Sequence, residues 1–264
     1  MRHFADRLAD AVEQKRSQLV VGLDPFPDRV SDPLSFCRGI VDAVADYAVA
    51  VKPQSAFFEV HGADGVRAFE ETCAYARAAG LLVIADVKRG DIPTTAEAYA
   101  RAFIPLADAV TVNPYMGGDS VEPFIAACRR EGAGIFCLVK TSNAGSADVQ
   151  DLELADGRQL WQHVSQLVDT WGRDVLGENG LSAVGAVVGA TYPKEVGAIR
   201  GLLPRSVLLL LGIGAQGAKP KDVVPAFSAG RASALVSTSR TVIFADSPAA
   251  EARRLAAEIW ALSG

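Results

Sequence analysis

Several short apolar runs of this chain end in polar residues, and one group of these is dense enough to do chemistry. In Ile84-Ala85-Asp86-Val87-Lys88-Arg89-Gly90-Asp91-Ile92, Asp86 and Lys88 are two residues apart and Asp91 follows three later. Side chains on a strand alternate between faces, so Asp86 and Lys88 are expected to point one way while Val87 packs the other. Lys52 closes the preceding apolar run. An alternating array of Lys52, Asp86, Lys88 and Asp91 favours the ionised form of each member, and fixed opposite charges are a means of electrostatic catalysis. Lys88 could give a proton to a carbanion, or form a Schiff base if it were deprotonated. A plain salt-bridge network would use the same residues.

A second candidate is Gly212-Ile213-Gly214-Ala215-Gln216-Gly217, which formally fits the dinucleotide pattern G-x-G-x-x-G. That pattern needs a helix opening directly after it and an acidic residue at the end of the next strand. Here Pro220 interrupts, and the next apolar run ends in Ser237-Thr238-Ser239-Arg240. A monophosphate site suits the residues better: the glycines let backbone N–H groups approach a phosphate, and Arg240 offers a fork of donors.

Other chemistries find little support. The histidines (His3, His61, His163) and the cysteines (Cys37, Cys73, Cys128, Cys137) are scattered without zinc spacing or disulfide density, so no metal is expected and the cysteines read as core residues. No G-x-S-x-G elbow is present. Twenty-six Lys plus Arg against 31 Asp plus Glu, without a basic run, argue against nucleic acid. No purely apolar run, Val207 to Leu211 included, exceeds five residues, far below the roughly 20 residues that span a bilayer. A cytoplasmic protein is expected.

These residues must be positioned by the elements around them. Eight apolar, β-branched runs recur: Gln18–Leu23, Ala48–Val51, Leu81–Val87, Ala109–Val112, Gly134–Val139, Ala183–Val188, Val207–Leu211 and Ala234–Val236. Their starts lie 24 to 33 residues apart, one βα unit each, except for a fifth interval of 49. Helical periodicity fills the intervals, as in 65–79 and 120–131. Near-continuous apolar strands suit a parallel sheet covered on both faces, so the expectation is an α/β chain folded as a single (β/α)8 TIM barrel, with an open doubly wound sheet as the alternative. Phe4 to Lys15 reads as an amphipathic helix capping the barrel floor, and the polar insertion after strand five, about 142–176, as a lid. In such a barrel catalytic groups lie at the C-terminal strand ends. Those ends carry Asp24, Lys52, Asp86 with Lys88 and Asp91, Asn113, Lys140-Thr141-Ser142, the glycine-rich turn, and Ser237 to Arg240.

Taken together, Asp86-Val87-Lys88-Arg89-Gly90-Asp91-Ile92-Pro93-Thr94-Thr95, Lys52 before it, the Val139-Lys140-Thr141-Ser142-Asn143 segment, Gly212 to Gly217 and Arg240 resemble the orotidine 5'-phosphate decarboxylase family, in its longer bacterial subgroup. The resemblance runs from Asp24 to Arg240. It implies decarboxylation of orotidine 5'-monophosphate to uridine 5'-monophosphate in pyrimidine biosynthesis, without a cofactor, with Lys88 protonating a carbanion at C6. It implies that Asp24 and Lys52 hold ribose hydroxyls, that Ser142 bonds the pyrimidine, that Gly214 and Gln216 belong to a closing phosphate loop, and that Arg240 clamps the phosphate. It also implies a homodimer in which Asp91 and Thr95 enter the partner's site. The chain departs from the family in Leu211, where proline is usual, and Ala218, where glycine is frequent. A metal-dependent sugar-phosphate enzyme of the same superfamily would need an acidic cluster, for which Glu59 is the available residue. A non-catalytic phosphate-binding barrel would be expected to have lost part of the charged array.

Overall fold

The computed structural model describes residues 2–190, 193–213, 217 and 219–264. Eight parallel strands close on themselves in chain order: β1 (Leu19–Leu23), β2 (Ala50–Pro53), β3 (Leu82–Arg89), β4 (Ala109–Val112), β5 (Gly134–Lys140), β6 (Ser182–Gly189), β7 (Ser206–Leu211) and β8 (Ala234–Thr238). The barrel is completed by the β1–β8 pairing, with Val20 opposite Ser237. The helices are α1 (Phe4–Lys15), α2 (Pro33–Val44), α3 (Ala56–Glu59), α4 (Gly62–Ala78), α5 (Pro93–Phe103), α6 (Gly118–Glu131), α7 (Ala147–Gln150), α8 (Leu160–Gly172), α9 (Pro193–Leu202), α10 (Arg240–Ile243) and α11 (Pro248–Leu262). The (β/α)8 reading holds, and the strand bounds move by at most two residues from those expected.

Local signals fix the helix starts. Asp32 caps α2 by accepting from the Ser35 amide, Ser247 caps α11 by accepting from the Ala250 amide, and each cap is followed by a proline in the first turn. Between β7 and β8 the α-helix of the usual unit is replaced by a 3-10 segment, Pro220–Ala229, with Pro225 inside it. An internal proline removes a helical hydrogen bond, which suits the looser segment.

Strand alternation sorts the core into two parts. Val21, Val51, Val83, Ala85, Val110 and Leu208 face outward into the layer shared with the helices. Val20, Ala50, Ile84, Ala109, Phe136 and Leu209 face inward and fill the barrel axis. From below, α1 packs Phe4, Ala5, Leu8 and Val12 into that inner cluster, with the Phe4 ring edge-on to Phe136. Asp6 anchors the helix by accepting from the Glu178 and Asn179 amides. The barrel is therefore plugged at its floor and open for chemistry only at the other end.

Candidate active site

The same alternation decides which side chains reach the mouth. Inward positions advance in steps of two: Val20 and Gly22 lead to Asp24, Ala50 to Lys52, Ile84 to Asp86, Ala109 to Thr111, Phe136 and Leu138 to Lys140, and Leu235 to Ser237. Each axis is apolar at the bottom and polar at the top.

Asp86 is the hub. Lys52 Nζ donates to its Oδ2 at 2.6 Å and Gln54 Nε2 to the same oxygen at 3.1 Å. Lys88 Nζ donates to Oδ1 at 2.5 Å and the Thr111 hydroxyl at 2.9 Å. Four donors thus engage the two carboxylate oxygens of a side chain that is 3% exposed. Burial alone would push the Asp86 carboxyl up, but Lys52 and Lys88 outweigh it and hold its pKa below the usual carboxylate range. Burial likewise opposes the charge on Lys52, and Asp86 with Asp24 more than restores it, so that its pKa is raised.

Lys88 does not reach Asp86 through a regular pleat. Ala85 pairs with Val110 and Arg89 with Val112, so Asp86, Val87 and Lys88 stand opposite Thr111 alone. This bulge puts Lys88 at φ +46°, a left-handed conformation rare for a residue with a side chain. Val87 still packs outward, as the sequence expects. Lys88 is re-aimed by the bulge rather than by strand parity.

Beside the array lies a cavity of about 160 Å3 lined by Asp24, Lys52, Ser142, Gly212, Ser239 and Arg240, among others. Asp24 Oδ1, Thr238 Oγ1 and Ser239 Oγ are buried without a hydrogen-bond partner among the described residues. Unsatisfied buried polar atoms are costly, and their concentration in one cavity marks a place where a polar ligand completes the bonding. Close backbone approach shapes two walls. A Cβ on Gly22 would lie 2.9 Å from Ser239 Cβ, and one on Gly189 would lie 2.9 Å from Ser142 Cα.

The loop bearing Ser142 is tied down from both sides. The Thr141 amide donates to Gln150 Oε1 at 2.8 Å, and Gln150 Nε2 returns a bond to the Thr141 hydroxyl at 2.8 Å. Buried Lys140 donates to Asp151 Oδ1 at 2.6 Å. Gly214, Gln216 and Ala218 of the glycine-rich turn lie outside the described residues.

Among the described residues no hydrogen bond or ion pair joins Asp91 to the array of its own chain. Its carboxylate accepts from the Ile92 amide at 2.8 Å, just ahead of α5, and Thr95 sits half-buried in the first turn of that helix. Glu59 pairs with Arg89 at 2.7 Å. All four cysteines are buried and free, and desolvation pushes the Cys73 and Cys137 thiols up to about 12. Two residues that complete the hub, Gln54 and Thr111, were not singled out by sequence. Thr111 could have been found as the lone hydroxyl at an inward position of β4.

Comparison with known proteins adds the lineage. A model of the orotidine 5'-phosphate decarboxylase / HUMPS family matches residues 17–255. The chain belongs to that family. The match includes all eight strands and leaves α1 outside it. Relatives named orotidine 5'-phosphate decarboxylase include one from Rhodopirellula baltica, 43% identical with 93% of this chain and 89% of the relative covered. Another, from Roseiflexus castenholzii, is 45% identical with 92% and 90% covered. The solved structure of Leishmania donovani OMP decarboxylase superposes with a TM-score of 0.84 at 37% identity, covering 99% of both chains. The orotidine 5'-phosphate decarboxylase / HUMPS family thus spans this chain's barrel and its mouth together.

Proposed function

We infer that the protein is an orotidine 5'-phosphate decarboxylase, converting orotidine 5'-monophosphate to uridine 5'-monophosphate and CO2 in pyrimidine biosynthesis. Family membership supports the reaction class, and the observation that carries the chemistry is the Lys52–Asp86–Lys88 array at the mouth of the barrel, with Lys52 and Asp86 buried and Lys88 part-exposed. Asp86 lies against the substrate carboxylate and Lys88 against C6. The C6–carboxylate bond breaks, its electron pair stays on C6 as CO2 leaves, and Lys88 Nζ donates a proton to that carbon. Solvent then restores the ammonium. The fixed charges replace an electron sink, so the reading includes no cofactor.

Asp24 and Lys52 hold the ribose hydroxyls in this reading, Ser142 bonds the pyrimidine, and Arg240 clamps the phosphate with Gly214 and Gln216. The buried oxygens of Asp24, Thr238 and Ser239, unpartnered among the described residues, support a polar ligand there. A metal-dependent sugar-phosphate reaction is less well supported, because Glu59 is engaged by Arg89. The loss of ultraviolet absorbance as orotate becomes uracil tests the reading directly. Purified protein that leaves orotidine 5'-monophosphate unchanged defeats it.

The working unit is a homodimer with shared sites. Among the described residues the Asp91 carboxylate bonds only to its own loop, and exposed Ile92, Tyr115 and Met116 lie on the segments that the hydrogen bond from the Ser120 hydroxyl to the Asp91 carbonyl joins. Co-refolding inactive Lys88→Ala and Asp91→Ala chains then leaves one intact site in each mixed dimer. With half the dimers mixed, activity returns to about a quarter of wild type. Verified heterodimers that stay inactive exclude sharing.

A further inference from the structure

We propose that Thr111 is a positioning residue whose hydroxyl holds the Lys88 bulge against Asp86; the proposal rests on the decarboxylase reading for its catalytic consequence. Three residues of β3 face Thr111, and regular parallel pairing cannot serve their amides. The Thr111 oxygen takes that place, accepting from the Val87 amide at 3.0 Å and from the Lys88 amide at 2.9 Å. Its proton goes to Asp86 Oδ1 at 2.9 Å, the oxygen that also receives Lys88 Nζ. One hydroxyl therefore binds both ends of the ion pair, the backbone of the lysine and the carboxylate of the aspartate.

The rest of the bulge is braced from outside. Arg89 Nη1 donates to the Val87 carbonyl at 2.9 Å, its Nη2 to Glu59 at 2.7 Å, and the Asn113 amide to the Arg89 carbonyl at 2.8 Å. None of these reaches Asp86. Among the described residues only Thr111 bonds both the backbone amides of the bulge and the Asp86 carboxylate, from a position that is 1% exposed. Without the hydroxyl the buried Val87 amide and the part-buried Lys88 amide lose their acceptor, and the left-handed turn at Lys88 loses what holds it. Thr111 itself is expected to touch neither substrate nor product.

The test compares Thr111→Val, which keeps the shape without the hydroxyl, with Thr111→Ser, which keeps the hydroxyl. A displacement of the proton donor on the order of 1 Å costs roughly 10²-fold in turnover. Thr111→Val should lose about that in kcat, while KM and the dissociation constant for uridine 5'-monophosphate stay within about threefold; Thr111→Ser should keep at least a third of wild-type kcat. Independently of turnover, amide hydrogen exchange in a peptide covering Val87 and Lys88 should quicken at least tenfold in the valine chain and stay near wild type in the serine chain. If the valine chain does not fold, Thr111→Cys, a weak donor and acceptor of similar size, replaces it with the same expectations. Unchanged exchange, equal damage from serine and valine, or a loss confined to KM overturns the proposal. An inactive wild type defeats the decarboxylase reading instead, and the exchange comparison still decides whether Thr111 holds the bulge.

Discussion

Lys52 and Lys88 both contact Asp86, yet their surroundings give them opposite signatures on removal. The Lys52 side chain is 8% exposed and lies 2.6 Å from a carboxylate that is 3% exposed. Truncating it leaves a buried charge short of a partner, a defect worth about 3 to 5 kcal/mol, and nearer the lower figure because Lys88, Gln54 and Thr111 remain. The Lys88 side chain is 38% exposed, so water screens its pair and the stability cost of Lys88→Ala should be about 1 kcal/mol or less. Its catalytic cost should be far larger. Losing the proton donor and the adjacent positive charge should lower kcat by at least about 10⁴-fold, equivalent to about 5 kcal/mol of barrier. Urea unfolding gives the first quantity and the ultraviolet assay the second. Lys88→Ala that keeps more than a tenth of kcat, or destabilises the fold as much as Lys52→Ala, would refute the reasoning and make Lys88 a member of a structural network.

Arg240 is exposed beside a cavity holding unpartnered hydroxyls, so Arg240→Ala should weaken use of the nucleotide by about 2 to 5 kcal/mol in kcat/KM and spare the phosphate-free nucleoside; equal damage to both substrates removes the phosphate assignment. Gly189→Ala, which would put a Cβ 2.9 Å from Ser142 Cα, should raise KM more than it lowers stability, and an unchanged KM would separate Ser142 from the pyrimidine. Asp86 has a lowered folded-state pKa, so the unfolded chain binds the extra proton first and the stability from its ion pairs is lost on acidification. The stability gap between wild type and Asp86→Asn should be constant above about pH 5, then shrink below about pH 4 by at most about 1.4 kcal/mol per pH unit. A gap that shrinks between pH 7 and 5 would mean that Asp86 is not held ionised.

The barrel was legible because each strand is an apolar run with turn residues at both ends, and the charged ends of those runs stood out against it. Strand parity was legible too, since Lys52 and Asp86 continue the inward series of Ala50 and Ile84. What parity concealed was the bulge. Asp86 and Lys88 satisfy the two-residue rule on paper, yet their meeting depends on a left-handed lysine and on a threonine 23 residues further along the chain. Thr111 was passed over because Ala109-Val110-Thr111-Val112 reads as an apolar strand in which threonine is an ordinary β-former. Gln54 follows Pro53 and looks like loop, although it pairs with Asp86 across an isolated bridge. Lys140 read as one more charged strand end, whereas it is buried and tied to Asp151 eleven residues on.

The two halves of the mouth differ in a way that bears on mechanism. Around Asp86 every carboxylate oxygen is engaged, so the cost of bringing three charges together is met by folding and the array stands before any ligand arrives. Around Asp24, Thr238 and Ser239 buried oxygens lack partners among the described residues, and a ligand that supplies them gains those bonds. On the proposed assignment, binding free energy is gathered at the ribose and phosphate end, while the reacting end is preorganised and needs little rearrangement at the moment of bond breaking. Lys88 is the exception within the array. In the proposed reaction its tip leaves Asp86 Oδ1 to follow C6, which partial exposure permits for the side chain while the Thr111 bonds keep its backbone in place. A proton donor that is free at its tip and fixed at its root can cross to carbon without dismantling the charges that drew it there.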